Sequence, residues 1–239
     1  MRLDQFLGET GQGSRNQIKR LLKSKQVRID GEVVSNPAAI VDSGLQKITV
    51  TGQAVQSLPH RYYVLDKPAG AVTAVTDKEH QTVLDCIRPE DRSEGLYPIG
   101  RLDWDTEGLV LLTDNGPLGF RMLHPKYHVT KTYYVEVNDF LGVDAVPFFQ
   151  EGVRFLDGTS CKPAQLSILS SDTKKSCARV TISEGKFYQV KKMFLAYGVK
   201  VTYLKRISFG NFHLEADLPA GHYRELTSEE QMILKTYLG

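Results

Sequence analysis

Residues 99–116 read Ile-Gly-Arg-Leu-Asp-Trp-Asp-Thr-Glu-Gly-Leu-Val-Leu-Leu-Thr-Asp-Asn-Gly. A knot of acids and glycines runs directly into a near-continuous apolar segment, Leu109 to Thr113. Such a segment reads as a buried strand. The chain must therefore hold charged loop chemistry rigidly at the mouth of that strand. Asp103 and Asp105 are the first candidates for function.

The remaining composition narrows the class of protein. A chain of 239 residues holds one large domain, or a small one with a medium one. An apolar share of 41% and a charged share of 24% are ordinary for a globular protein. No apolar run approaches the roughly 18–20 residues that span a bilayer, and the N-terminus has no signal-peptide core. Cys86, Cys161 and Cys177 are odd in number, far apart and form no Cys-x-x-Cys pair. They argue against a disulfide framework and against a zinc ribbon. A cytoplasmic protein is expected. The net charge is only +2, but residues 15–28 and 186–206 are both rich in Lys and Arg and free of acid. Two such stripes in a near-neutral chain point to two contacts with one polyanion, a nucleic acid, rather than to two solvated helix faces.

Residues 1–55 read as a small autonomous unit. Ser14 can cap a helix over 15–25 with Ile18, Leu21 and Leu22 as its apolar stripe. Arg15, Lys19 and Lys23 then share one face, with Arg20 in the same helix, and can track phosphates. Short strands follow at 27–29, 33–34 and 48–50, with a turn at Asp30-Gly31. So thin a core suits a binding module better than an enzyme. Residues 53–60 lack a period and read as irregular chain, with the linker proper at 56–60. Beyond it, over 61–239, strands are expected at 62–65, 109–113, 132–137, 178–182 and 199–203. Helices are expected near 117–123, 144–150 and 186–197. A last helix runs from Thr227 to about Tyr237, where Thr227 and Glu230 have capping-box spacing. The elements do not alternate regularly, so the fold class is α+β with a mainly antiparallel sheet.

Five constellations are candidates for chemistry. Asp103, Asp105 and Gly108 mimic the start of a calcium loop, with acids at positions 1, 3 and 5 and a glycine at 6. Leu111 at position 9 and Asp114 at position 12 are the wrong residues for one. A structural loop whose carboxylates accept backbone N–H bonds is the plainer alternative. His124 and His128 have i, i+4 spacing, but Pro125 breaks any helix across them, so surface histidines are expected rather than a metal pair. Lys67-Pro68-x-Gly70 ends a strand in a turn, its lysine functional or simply solvated. In Glu184-Gly185-Lys186-Phe187-Tyr188-Gln189-Val190-Lys191, a strand ends at a glycine and a basic helix begins. Lys191 lies beside that helix's apolar face, within reach of a site in the core. Lys131-Thr132-Tyr133 puts a lysine and an aromatic on one side of a strand.

Two resemblances follow from these residues. Arg2-Leu3-Asp4, Ser14-Arg15 and Val27-x-Ile29-Asp30-Gly31 resemble the RNA-binding module named after ribosomal protein S-four. That module often has a glycine where this chain has Lys25-Gln26. Gly100-Arg101-Leu102-Asp103-x-Asp105-Thr106-x-Gly108-Leu109 resembles the signature of the ribosomal RNA pseudouridine synthases. The Lys-Thr-Tyr strand and the Glu-Gly-Lys-x-x-Gln-Val-Lys helix are similar to the small-subunit (16S) branch, and the resemblance covers nearly the whole chain. It implies an isomerase that detaches uracil from ribose carbon 1, rotates it and rejoins it through carbon 5. No cofactor and no metal are implied. Asp103 matches the catalytic aspartate, Lys191 the basic residue paired with it, and Tyr133 the tyrosine that stacks on the flipped uracil. Arg101 matches the residue that enters the stack in place of the flipped base. Arg2-Leu3-Asp4 repeats the tripeptide without its flanks, so Asp4 is structural. Tyr188 stands where the pattern often has histidine and is assigned no role. The implied partner is ribosomal RNA, within a small-subunit assembly particle, with no membrane and the chain a monomer. A large-subunit (23S) enzyme of the same family, or a non-catalytic ribosome-assembly factor that binds RNA, are the alternatives.

Overall fold

The computed structural model describes residues 1–238. Helices α1 (Leu3–Glu9) and α2 (Arg15–Lys23) precede a four-stranded antiparallel sheet, order β2-β1-β3-β4. Its strands are β1 (Val27–Ile29), β2 (Glu32–Val33), β3 (Ile48–Val50) and β4 (Gln53–Val55). Leu3, Phe6, Leu7, Ile18, Leu22, Val27 and Ile48 make its own small core. Gln17 accepts a hydrogen bond from the Ser14 N–H at 2.7 Å, closing the start of α2. That helix stops at Lys23, short of the expected residue 25. Lys25 turns into the left-handed region (φ 59°), and the Gln26 N–H bonds back to Leu21. Residues 53–55 are strand rather than irregular chain, because they pair with β3 as its edge neighbour.

A nine-stranded sheet holds the rest of the chain together. Its main path is β13 (Tyr223–Glu225), β5 (Tyr62–Lys67), β7 (Glu107–Thr113), β11 (Val201–Phe209), β8 (Lys131–Val137), β10 (Ser176–Ile182) and β9 (Gln165–Ser170). The short strands β6 (Tyr97–Ile99) and β12 (Phe212–His213) attach to β7 and β11. Only β7 and β11 run parallel; every other pair is antiparallel. Strands alternate their side chains between two faces, and β7 feeds both. Val110 and Leu112 join the larger core, with α4 (Ala145–Gln150) and α5 (Gln189–Tyr197) over it. Leu109 and Leu111 join a second core under α3 (Gly116–Leu123) and α6 (Ser228–Lys235). A strand buried on both faces has no polar alternation, which is why it is so visible in the sequence.

Two expected boundaries moved. The helix expected over 186–197 starts only at Gln189, because Tyr188 takes a left-handed conformation (φ 53°). The strand expected over 199–203 runs instead from Val201 to Phe209, its polar residues paired inside the sheet. At the C-terminal helix the capping box forms: Thr227 and Glu230 exchange bonds of 2.8 and 3.2 Å.

The N-terminal unit is docked on the sheet. The Tyr62 hydroxyl donates to Asp42 and accepts from the Asn115 amide at 2.9 Å. Lys235 pairs with Asp30 at 2.9 Å, and Ile40 and Leu45 pack on the second core. The connecting residues are held too, since Ser57 bonds Ser43 and His60 bonds Asp114 at 2.7 Å.

Gly108 controls the parallel contact at the centre. It has φ +107°, and a Cβ there would lie 2.2 Å from the Arg206 carbonyl oxygen. Gly108→Ala should therefore combine backbone strain with overpacking and cost about 2–5 kcal/mol. Equilibrium denaturation checks this; a loss under about 1 kcal/mol would show that the two strands can separate freely.

Candidate active site

The site begins at a buried lysine. Lys67 ends β5 with no exposed surface. Its amine donates to the carbonyl oxygens of Pro68 (2.9 Å), Trp104 (3.2 Å) and Thr106 (2.6 Å). An ammonium has three N–H donors and all three are used. Burial drives its pKa down to about 8, opposed chiefly by the charges of Asp105 and Glu107. Thr73 clasps the same loop by accepting from the Leu102 N–H (3.0 Å) and donating to the Leu102 carbonyl (2.8 Å). The Gly70 N–H reaches the Trp104 carbonyl at 2.9 Å. Of the two readings open for Lys67, the solvated one is excluded.

This clamp presents two carboxylates to α5. Lys191 Nζ lies 3.6 Å from Asp103 and 2.5 Å from Asp105. The Asp103 and Lys191 side chains are only about a quarter exposed, whereas Asp105 is mostly exposed. The pairing expected of Asp103 and Lys191 is present. Asp105 is more than loop scaffold, because it is the nearer partner of the lysine. The scaffolding falls to Thr106, which is buried, and to Gly108. Burial raises the Asp103 pKa above the ordinary value of 3.8; the Lys191 charge opposes that rise and Asp105 adds to it.

Tyr133 and Arg206 complete the cluster. They face each other across the antiparallel pair β8–β11 and are 8% and 2% exposed. Burial raises the Tyr133 pKa, Arg206 opposes the rise, and the nearby Asp103 reinforces it. Arg206 Nε donates to the Leu109 carbonyl at 2.8 Å, and its guanidinium lies 5.2 Å from the Phe209 ring. No carboxylate pairs with it among the described residues, and its Nη2 is buried without a hydrogen-bond partner. A buried guanidinium so placed is costly unless it serves the site. Sequence reasoning counted Arg206 only as part of a basic stripe. Its signal was period-two alternation: Leu204, Arg206 and Ser208 share the buried face of β11. Lys131 sits 5.6 Å from the Phe209 ring and is half-buried, with its pKa lowered chiefly by burial.

The candidate RNA contacts lie outside this pocket. Arg101 is exposed and follows Gly100, whose φ of +82° turns the chain out of β6. Arg15, Lys19, Arg20 and Lys23 are all exposed on α2. Arg15 and Lys19 border a groove of about 590 Å³ with Arg2, Gln5 and Pro37. Asp4 is held by Arg2 at 2.8 Å. Tyr188 is half-exposed, with Lys191 Nζ 5.0 Å from its ring centre.

The metal readings find no geometry. Asp114 lies at the opposite end of β7 from Asp103, on the order of 20 Å away. It is spent on His60, Ser93 and the Arg61 N–H. His124 Nδ1 accepts from the Lys126 N–H at 3.2 Å, inside a tight turn over 125–127. Among the described residues no group of three or more His, Cys, Asp or Glu could hold a metal ion. All three cysteines are free, and among the described residues no helix is long and apolar enough to cross a membrane.

The acid held by a lysine, beside a buried tyrosine and arginine, belongs to a chain that also carries an exposed basic helix. Comparison with known proteins names the class. Residues 61–196 match the RNA pseudouridylate synthase family and residues 1–46 the S4 domain. The chain is 41% identical to the ribosomal small subunit pseudouridine synthase A of Yersinia pestis, over 96% of each chain. It is 41% identical to an uncharacterized RNA pseudouridine synthase of Bacillus subtilis, over 98% of each. It is 36% identical to the ribosomal large subunit pseudouridine synthase B of Bacillus subtilis, over 96% of this chain and 93% of that one. A crystal structure of a pseudouridylate synthase superposes with a TM-score of 0.67 at 33% identity, covering 98% of this chain and 99% of that one. The chain belongs to the RNA pseudouridine synthase family and is an isomerase acting on RNA.

The Asp103 environment has a consequence for stability. Its native pKa is raised, so the native state holds the proton more tightly than the unfolded chain does. Stability therefore falls as pH rises from about 3.8 through the raised native value. At neutral pH the ionised carboxylate remains a destabilising group. Asp103→Asn cannot ionise, so it should melt above the wild type at pH 7, with the advantage shrinking towards pH 4. Thermal denaturation at the two pH values checks this, and an advantage independent of pH would exclude the mechanism.

Proposed function

We propose that this enzyme isomerises a specific uridine of small-subunit (16S) ribosomal RNA to pseudouridine, with Asp103 as its catalytic residue. The observation that carries the reading is the Asp103–Lys191–Tyr133–Arg206 cluster, held over the Lys67 clamp. The base leaves the RNA stack to be reached, at a cost of a few kcal/mol. Arg101, exposed beside the pocket, fills the space it vacates. Tyr133 stacks on the uracil. Asp103 attacks the ribose or the base through its carboxylate, the form that the Lys191 charge favours against the pull of burial, and the bond it makes to the substrate is broken again before the product leaves. The bond from ribose carbon 1 to uracil N1 breaks, and one from carbon 1 to uracil carbon 5 forms. The carbon 5 proton is then lost and N1 gains one, so atoms and electrons balance within the substrate, and no cofactor or metal is called for. In this reading Tyr133 also assists removal of that proton.

The small-subunit assignment is supported by 41% identity to a small-subunit enzyme over nearly the full length. A 36% likeness to a large-subunit enzyme keeps 23S RNA as the second reading. In this reading the enzyme is a monomer that acts on RNA within an assembling small-subunit particle in the cytoplasm. The S4-type module supplies the remaining affinity through Arg15, Lys19, Arg20 and Lys23. The unit boundaries proposed are 1–55 for this module, 56–60 for the linker and 61–239 for the catalytic domain.

Pseudouridine mapping of both ribosomal RNAs, with and without the protein, decides the substrate. A site lost only from 16S RNA is expected, and a site lost only from 23S RNA selects the second reading. Asp103→Asn should form no detectable pseudouridine while binding RNA like the wild type; an active variant would remove Asp103 from the chemistry. Replacing Lys19 and Lys23 together by Ala should flatten the log–log salt dependence of RNA binding by about 1.5. An unchanged slope would take α2 off the binding surface.

A further inference from the structure

The face around α3 has no part in the reaction proposed above. From Asn115 to Tyr134 the chain carries Arg121, Lys126 and Lys131 with His124 and His128, and no acid. Helix α3 buries Leu118, Gly119 and Met122 and leaves Phe120 69% exposed on its other face. Leu123 and Tyr127 are also exposed. A phenylalanine on the solvent face of an amphipathic helix contributes nothing to the core.

The exposed rings are ordered. Phe120 and His124 meet edge to face at 5.8 Å, and His124 and Tyr127 at 6.3 Å. The Arg121 guanidinium lies 5.1 Å from the Tyr127 ring centre. The His124 ring is fixed because its Nδ1 accepts the Lys126 N–H, while its carbonyl accepts the Tyr127 N–H at 3.0 Å. The rings and the turn hold one another in place, which lowers the ordering cost of binding.

The row also lies beside the pocket. The Tyr97 hydroxyl donates to the Gly116 carbonyl at 3.1 Å, and a Cβ at Gly119 would fall 2.0 Å from that hydroxyl. Helix α3 is thereby pressed onto β6. That strand runs directly into Gly100 and Arg101, and Gly100 packs against Leu123, 3.1 Å from where a Cβ would stand.

We propose that Phe120, His124 and Tyr127 form a stacking subsite for a single-stranded stretch of the RNA substrate flanking the target uridine. Bases stack on the exposed rings, and Arg121 and Lys126 supply the positive charge that its phosphates require. Stacking of this kind tolerates any base, because every base has a flat face. A stretch of chain without Asp or Glu that joins cations to exposed rings is complementary to a polyanion with flat bases. The inference rests on the RNA-modifying function proposed above and adds a second contact to that of the S4-type module.

The test uses the full chain and two probes: a fluorescein-labelled ten-nucleotide oligouridylate, and unmodified 16S and 23S transcripts. Phe120→Ser should weaken oligouridylate binding about tenfold, while Phe120→Trp and Tyr127→Phe retain it. Because Phe120 is exposed, the melting temperature of Phe120→Ser should stay within about 2 °C of wild type. On the transcript that is modified, KM should rise about tenfold with kcat within about twofold, as expected for lost binding rather than lost chemistry. Unchanged oligouridylate affinity in the Phe120→Ser/Tyr127→Ser double variant would overturn the proposal. So would a wild-type dimer that Phe120→Ser converts to a monomer with its RNA affinity intact, since the rings would then serve a protein contact. Should the wild type modify neither transcript, the proposed function fails, and the oligouridylate comparison still decides this subsite.

Discussion

The ammonium of Lys67, sealed at the end of β5 and shared among three carbonyls, is the interaction on which the site depends. It turns a loop of competing acids and glycines into a fixed object. Two of those carbonyls belong to Trp104 and Thr106, on either side of Asp105, so their positions constrain where Asp103 and Asp105 can point. The positive charge also lowers the electrostatic cost of placing two carboxylates together, although burial dominates the Asp103 pKa. A neutral residue there would leave the Pro68 and Thr106 carbonyls without that donor, each a cost of about 1–3 kcal/mol where buried, while the Trp104 carbonyl keeps the Gly70 N–H.

Around that clamp the sheet brings distant residues together. Helix α5 carries Lys191 to Asp103 and Asp105 from 86 positions away in sequence in the case of Asp105. Strands β8 and β11 place Tyr133 opposite Arg206. The close parallel contact of β7 and β11 needs a residue without a Cβ, which Gly108 provides. Tyr62, Asp42 and Asn115 tie the basic module to the same sheet.

The pocket is organised at the expense of stability. Asp103 is ionised where burial disfavours the charge, and Arg206 is buried without a carboxylate. Tyr188 holds a left-handed backbone conformation uncommon for a large side chain. Such costs gather where a protein must present charge to a substrate instead of neutralising it internally. Two large hydrophobic cores, one on each face of the sheet, offset them.

The fold class, the basic helix and the candidacy of Asp103, Tyr133 and Lys191 were legible in the sequence, because each rests on local information. An apolar run declares a buried strand, i, i+4 spacing aligns lysines on a helix, and a long motif survives as contiguous residues. The irregular strands β4, β6 and β9 were not legible, since their pairing partners and not their own residues make them strands. Arg206 escaped, and Lys67 was left open between functional and solvated, for a related reason: a basic side chain looks solvated until the sheet buries it. The chain by itself determined which groups are available: an acid loop, a tyrosine, a lysine helix and a basic module. Only the tertiary structure decided that Lys191 bridges two carboxylates instead of one, and that Lys67 and Arg206 are interior. Charge–charge distances are properties of strands brought together across the sheet, and the alternation along β11 was the only local trace of the burial of Arg206.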